Sequence, residues 1–144
     1  PIFIPEDMPF EIGKGIMLSE GTDVTIVATG HLVWKALEAA KELEAKGISA
    51  EVINIHTIKP LDEEIILNSV MKTRCIVTAE EHQINGGLGE SISSLLCRTI
   101  PTPQEFVAVD DTFGESGTPA ELMTKYGLDT VDIISACEAV MMRK

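Results

Sequence analysis

Hydrophobic and polar positions along this chain switch between two periods, and each switch marks an element. Val24-Thr25-Ile26-Val27-Ala28 is a short apolar, β-branched run, which predicts a buried strand. Leu32, Val33, Ala36, Leu37, Ala40 and Leu43 then recur at helical spacing, and Gly47 stops the helix. Charges at Lys35, Glu38, Lys41, Glu42 and Lys46 mark its solvent face. The alternation repeats. Ala50 to Ile55 predicts a strand. After Pro60-Leu61, Asp62 reads as an N-cap, with Glu63 and Glu64 in the first turn, where the helix dipole favours acids. That helix is expected to run to about Met71. Cys75 to Ala79 reads as a further strand, and Leu88, Ile92, Leu95 and Leu96 give the next helix its apolar face. Glu105 to Val109 is a fourth strand of the series. Thr118-Pro119-Ala120-Glu121 is a capping box with proline at the first helical position, opening a short helix that Gly127 ends. Thr130 opens a last helix with a buried stripe of Ile133, Ile134, Cys137, Val140 and Met141. Ahead of the series, Gly13 to Leu18 is long enough for one short strand. Strand and helix in alternation, joined by short turns, predict an α/β fold: a mostly parallel sheet with helices on both faces.

Composition narrows the function classes. A length of 144 residues, 44% hydrophobic and 24% charged, suits one globular domain with a full core. No apolar run approaches the roughly 20 residues of a membrane span, and no signal-peptide pattern is present, so neither membrane partner nor export is expected and a cytoplasmic location is. A net charge of -12 without a basic stripe excludes a phosphate-binding nucleic-acid surface. Cys75, Cys97 and Cys137 form no CxxC pair and are expected to be buried free thiols. Pro1 to Phe10 carries three prolines and mixes apolar with acidic residues, as an extended linker would. Residues 1–11 are therefore expected to be an interdomain linker and 12–144 the domain. The start at Pro1 rather than methionine is what a piece cut from a longer chain would show.

Candidate chemistry concentrates where strands end. From Glu80 to Glu90 a strand ends, an acidic turn follows, and glycines open an apolar helix. Ligands and partners of open α/β sheets collect at such turns. His31, His56 and His82 each follow a predicted strand, and so do Glu81 and Asp110. Parallel strands would gather all five on the carboxyl edge of the sheet. The histidine spacings match no compact metal motif. Gly86-Gly87-Leu88-Gly89 lacks the G-x-G-x-x-G spacing and any P-loop Lys-Ser/Thr, so a tight turn with close helix packing is the simpler reading, and an anion at the helix N-terminus the sharper one. Glu80 and Glu81 are strand neighbours that point to opposite faces; instead of a general acid/base pair, one is expected to face an interface or cap a loop. Gly114-Glu115-Ser116-Gly117 lacks the nucleophile-elbow spacing. Trp34 on the first long helix reads as a packing or subunit contact. No catalytic, cofactor-binding or metal-ligating residue is assigned. The candidate interface or anion site comprises Gly30, His31, His56, Glu81, His82, Gly86, Gly87 and Asp110.

Four stretches stand in one order: Gly21 to Gly30, Thr57-Ile58-Lys59-Pro60-Leu61-Asp62, Glu80 to Glu90, and Phe113-Gly114-Glu115-Ser116-Gly117. Together they resemble the C-terminal domain of the transketolase family of thiamine-diphosphate enzymes, over nearly the whole chain. The likeness is greatest to the C-terminal section of split transketolases; deoxyxylulose-phosphate synthase is a near relative, and the β subunits of 2-oxoacid dehydrogenases more distant ones. The resemblance implies a three-layer α/β/α domain with a five-stranded mixed sheet whose first strand is antiparallel. It also implies a role in holding together an enzyme that moves a two-carbon ketol unit from ketose phosphate to aldose phosphate. Thiamine diphosphate and magnesium then belong to the whole enzyme, and no cofactor to this chain. The Gly-Asp-Gly signature for metal and diphosphate and the pyrimidine-binding domain are both missing, so the family's catalytic residues have no positions here. The implied partners are the pyrimidine-binding domain, a diphosphate-binding N-terminal subunit or domain, and a second copy in a homodimer. Alone the chain is expected to be inactive. Two alternatives stay open: the same domain from deoxyxylulose-phosphate synthase, and a stand-alone effector-binding module.

Overall fold

A computed structural model describes residues 13–83, 87–109 and 128–144, with the backbone alone for His82, Gln83 and Val109. The described elements run β1 (Ile16–Ser19), β2 (Val24–Ala28), α1 (Leu32–Ala45), β3 (Ala50–Asn54), α2 (Glu63–Thr73), β4 (Ile76–Gln83), α3 (Leu88–Arg98), β5 (Gln104–Val109) and α4 (Thr130–Met141). The predicted helix at Thr118 and the residues Gly86 and Asp110 lie outside the described residues, as does the predicted linker.

The five strands form one sheet in the order β1-β3-β2-β4-β5. The β3/β2, β2/β4 and β4/β5 pairs are parallel, and β1 pairs antiparallel with β3, setting Ile16 opposite Asn54. This is the expected mixed sheet. Its two faces are covered separately. Val24, Ile26, Ala28, Val52 and Val77 point to one side, where α1 and α4 close a core with Leu32, Leu43, Ile133 and Cys137. Val27, Ile53 and Ile76 point to the other, where α2 and α3 bring Ile66, Val70, Ile92 and Leu95. Each valine, leucine or isoleucine among them, fully buried, contributes about 1.5–3 kcal/mol.

Local chemistry sets the ends. Asp62 accepts the Ile65 amide at 3.4 Å and, through its other oxygen, that of Gly15 at 2.8 Å, fastening the entry to β1 onto the start of α2. Asp129 and Asp132 make a reciprocal capping box at α4. α2 ends on Arg74, a non-glycine residue at φ 67. A buried hydroxyl chain, Thr25 to Ser69 at 2.7 Å and to Thr73 at 2.6 Å, ties β2 to α2.

Three expectations need correcting. β4 does not stop at Ala79; it continues through Glu80, Glu81 and His82 to Gln83. Four steps along it, Ala79 to Gln83, match two along β5, Val107 to Val109, so the strand bulges where polar residues replace the apolar run. Cys97 is exposed, because it falls off the Leu88, Ile92, Leu95 and Leu96 stripe of α3. Cys75 and Cys137 are buried as expected. Burial pushes both thiols up, Cys137 to about 12 with the neighbouring Cys75 adding to it. Within the α4 stripe, Ile134 and Met141 are only partly buried.

Candidate functional site

The chain passes from β2 through α1 to β3 on one side of β2, then through α2 to β4 on the other. The turns after β2 and β4 therefore leave toward opposite faces at the carboxyl edge, the place where open α/β sheets bind ligands and partners. Two consecutive carboxylates of β4 stand there, pointing to opposite faces because strand side chains alternate.

Glu80 points to the α2/α3 face and is 1% exposed. Its Oε1 accepts the Leu88 amide at 2.8 Å and its Oε2 the Gly89 amide at 2.6 Å. These are the first two residues of α3, whose N-cap, Gly87, has no side chain to offer. The strand thus supplies the helix's cap, and a buried anion sits at the positive end of the helix dipole. Where one glutamate was expected to face an interface or cap a loop, Glu80 caps a helix. The same geometry answers the anion reading: the amides that would hold a phosphate already hold a carboxylate.

Glu81 points to the α1/α4 face. Its Oε1 accepts the His31 amide at 3.1 Å and lies 3.2 Å from His31 Nδ1. Here too a carboxylate of β4 meets the start of a helix, since His31 occupies the N-cap of α1 and makes no side-chain cap of its own. Gly30 makes the turn at φ 59, a region open to glycine, with the Glu81 carboxylate 3.8 Å from where a Cβ would stand. This pair stays wet: the His31 side chain is 81% exposed and that of Glu81 34%.

The predicted site residues therefore separate. Gly30, His31 and Glu81 come together at this edge. His56 follows β3 on the same edge, in an exposed position. His82 lies within β4 instead of in a turn. Gly87 has φ -91, so no left-handed conformation requires its glycine. A close approach occurs at Gly89: a Cβ there would stand 2.6 Å from two Phe106 ring carbons and 2.8 Å from Thr78 Oγ1. Gln104, which sequence reasoning missed, secures the same spot through Nε2, donating to the Gly89 carbonyl at 2.9 Å and to Thr78 Oγ1 at 3.1 Å. The only hint was a glycine inside a helical pattern, which signals close packing. Trp34 is 49% exposed near the start of α1. Beside it, Lys35 pairs with Asp129 at 3.1 Å and Glu38 accepts from Thr130 Oγ1 at 2.8 Å, clipping α1 to α4.

Among the described residues no three His, Cys, Asp or Glu side chains converge as a metal site, and no helix is long and apolar enough to cross a membrane. With the Leu88 and Gly89 amides filled by Glu80, the start of α3 does not fit the diphosphate that the transketolase resemblance implies for a whole enzyme.

The family model described as transketolase, C-terminal domain, matches residues 13–133. The 6-deoxy-6-sulfo-D-fructose transketolase subunit of Clostridium sp. strain MSTE9 is 48% identical over 96% of this chain and 43% of its own length. A putative transketolase C-terminal section of Methanocaldococcus jannaschii is 44% identical over 86% of this chain and 39% of its own. A 1-deoxy-D-xylulose-5-phosphate synthase of Geobacter sulfurreducens is 42% identical over 92% of this chain and 21% of its own. Among solved structures, a split-gene transketolase described as an inactive β4 tetramer superposes with a TM-score of 0.91 at 46% identity, covering 99% of this chain and 46% of that one. The chain thus spans less than half the length of the relatives it matches. With sheet order, antiparallel first strand and family match in agreement, the chain belongs to the transketolase C-terminal domain family.

Proposed function

We propose that this chain is the C-terminal assembly domain of a split, thiamine-diphosphate-dependent transketolase, inactive by itself. The observation that carries this reading is the 0.91 superposition over 99% of the chain on a split-gene transketolase, at 46% identity. The relatives' greater length supports it further, because ketol transfer then belongs to parts that this chain does not include. In the whole enzyme, thiamine diphosphate with magnesium supplies the chemistry that makes and breaks the carbon–carbon bond. This domain's residues have a mechanical part: Glu80 fixes α3 against β4, while the exposed Glu81–His31 pair and Gly30 present a polar edge to a neighbouring domain or subunit. His56 lies on the same edge, and Trp34 offers a second contact beside it.

The 42% identity to the Geobacter sulfurreducens synthase favours one other reading, the same domain in deoxyxylulose-phosphate synthase. One reconstitution separates them. The full-length protein is combined with a diphosphate-binding subunit, thiamine diphosphate and magnesium, then assayed for ketol transfer between sugar phosphates and for deoxyxylulose-phosphate formation. Ketol transfer only in the mixture is the expected result. Deoxyxylulose phosphate as the product supports the second reading, and saturable cofactor binding by this domain on its own would refute the assembly role.

A further inference from the structure

A groove of about 560 Å³ runs between the loop that leads into α2 and the side of α3. Ile58, Pro60 and Leu61 give it an apolar wall, and Ser91 and Ser94 stand on the α3 side. Its charges balance, Lys59 and Arg98 against Glu63 and Glu90. The two cations are weakly matched within the domain. Lys59 forms no ion pair among the described residues, and Arg98 reaches Glu63 only at 4.0 Å.

The chain enters the domain at the rim of this groove. A Cβ on Gly13 would stand 3.2 Å from Pro60 Cγ, and the Gly15 amide donates to Asp62 Oδ2 at 2.8 Å. Residues 1–12 therefore join the domain beside the apolar wall. Fully extended, twelve residues reach up to about 40 Å. The α3 side of the groove, from Glu90 to Arg98, is about 12 Å long, so the segment is more than long enough to fill it.

We infer that residues 1–12 dock in this groove as an extended strap, a contact within the chain that does not rest on the assembly role. The segment is acidic, with Glu6, Asp7 and Glu11 and no base, and half of its residues are apolar, Phe3 and Phe10 the largest. The groove answers both properties, with Lys59 and Arg98 for the acids and the Ile58, Pro60 and Leu61 wall for the rings. Lying between two walls, an extended chain turns successive side chains to each in turn. Prolines at positions 1, 5 and 9 exclude a helix and thin out the amide donors that need partners. The Ser91 and Ser94 hydroxyls are able to donate to the carbonyls that remain.

Two other grooves compete for the segment. One, also beside the entry point, is smaller, about 260 Å³, and sets Asp62 and Glu64 against Lys14 alone, which disfavours an acidic occupant. The other, lined by Arg74, Arg143 and Lys144, is as large but lies at the amino edge, a strand length of about 17–20 Å from Gly13. A segment going there would spend about half of its reach on the way.

Disulfide trapping in the chain of residues 1–144 tests the strap. Phe3→Cys, Glu6→Cys and Met8→Cys are made one at a time, each with Ser94→Cys in a Cys97→Ser background, and oxidised with diamide under native conditions. Asn68→Cys in the acidic groove and Met71→Cys in the amino-edge groove replace Ser94→Cys for comparison; all three sites are exposed. For at least one strap position, the intramolecular disulfide to Ser94→Cys should form at least tenfold faster than to either comparison site. Adding Lys59→Glu should slow it about threefold or more. A smaller margin over the comparison sites, no trapping at all, or an unchanged rate with Lys59→Glu overturns the proposal. So does a disulfide that joins two chains, which would make the groove a contact between copies.

Discussion

Glu80 and Glu81 are neighbours of identical chemistry, Glu80 accepting the first two amides of α3 and Glu81 the N-cap amide of α1, yet they belong to different kinds of structure. Glu80 is buried and both its oxygens are taken by α3. Glu81 is partly exposed, and the helix it meets begins with a solvent-facing histidine. A pleated strand sends one carboxylate to each face, so one of the pair is used up at the start of α3 while the other stays partly exposed at the start of α1. The lesson is that burial, not residue type, divides scaffold from surface.

The largest effect should come from the closed side. Glu80→Ala would leave two buried amides without an acceptor and is expected to cost about 2–4 kcal/mol, with Glu80→Gln intermediate. Chemical denaturation measures it, and a loss below about 1 kcal/mol would erase the contrast with Glu81. Gly89→Ala comes next on that side: its Cβ would meet Phe106 and Thr78 Oγ1 below 3 Å, at a cost of about 1–3 kcal/mol of overpacking. Trimming Phe106 to leucine in the same chain should recover part of it.

The open side is open only at its rim, and the thiols test that. Cys137 holds its proton to about pH 12, against an ordinary value of 9.0. The unfolded chain loses that proton first. The thiol's contribution is therefore complete below pH 9 and falls between pH 9 and about 12, by up to about 1.4 kcal/mol per pH unit. Melting curves through this range should fall less steeply for Cys137→Ala. In native protein at pH 8 a thiol reagent should modify Cys97 quickly and leave Cys75 and Cys137 untouched.

The smallest effect on folding belongs to Glu81. Its exposed pair with His31 contributes no more than about 1 kcal/mol, so Glu81→Lys should barely move the melting temperature. In the reconstituted enzyme it should lower activity at low protein concentration, with recovery at high concentration. Loss at every concentration would give this edge a direct part in the chemistry.

The sequence made the apolar architecture plain because burial there follows period: the β2 run, the stripes of α1 and α3, and the Asp62 cap all stand where the pattern puts them. It misjudged β4 beyond Ala79, since a polar stretch reads as a turn unless one knows that its carboxylates are needed by helices on either side. Gly89 is a position that needs glycine, and only the Phe106 ring across the sheet shows why.

Because β1 runs against its neighbours, polypeptide ahead of Ile16 enters this domain at the carboxyl edge, beside Asp62 and at the same edge as Glu81. Were a domain attached through such a lead-in, as the proposed assembly role requires, it would be held near that edge, at effective concentrations that short tethers bring to the millimolar range. Contacts there too weak to bind a free partner would still be populated, so polar, hydrated residues such as Glu81 and His31 would suffice where an independent complex would need a large apolar patch. Cutting the tether, with every contact intact, should then undo the association.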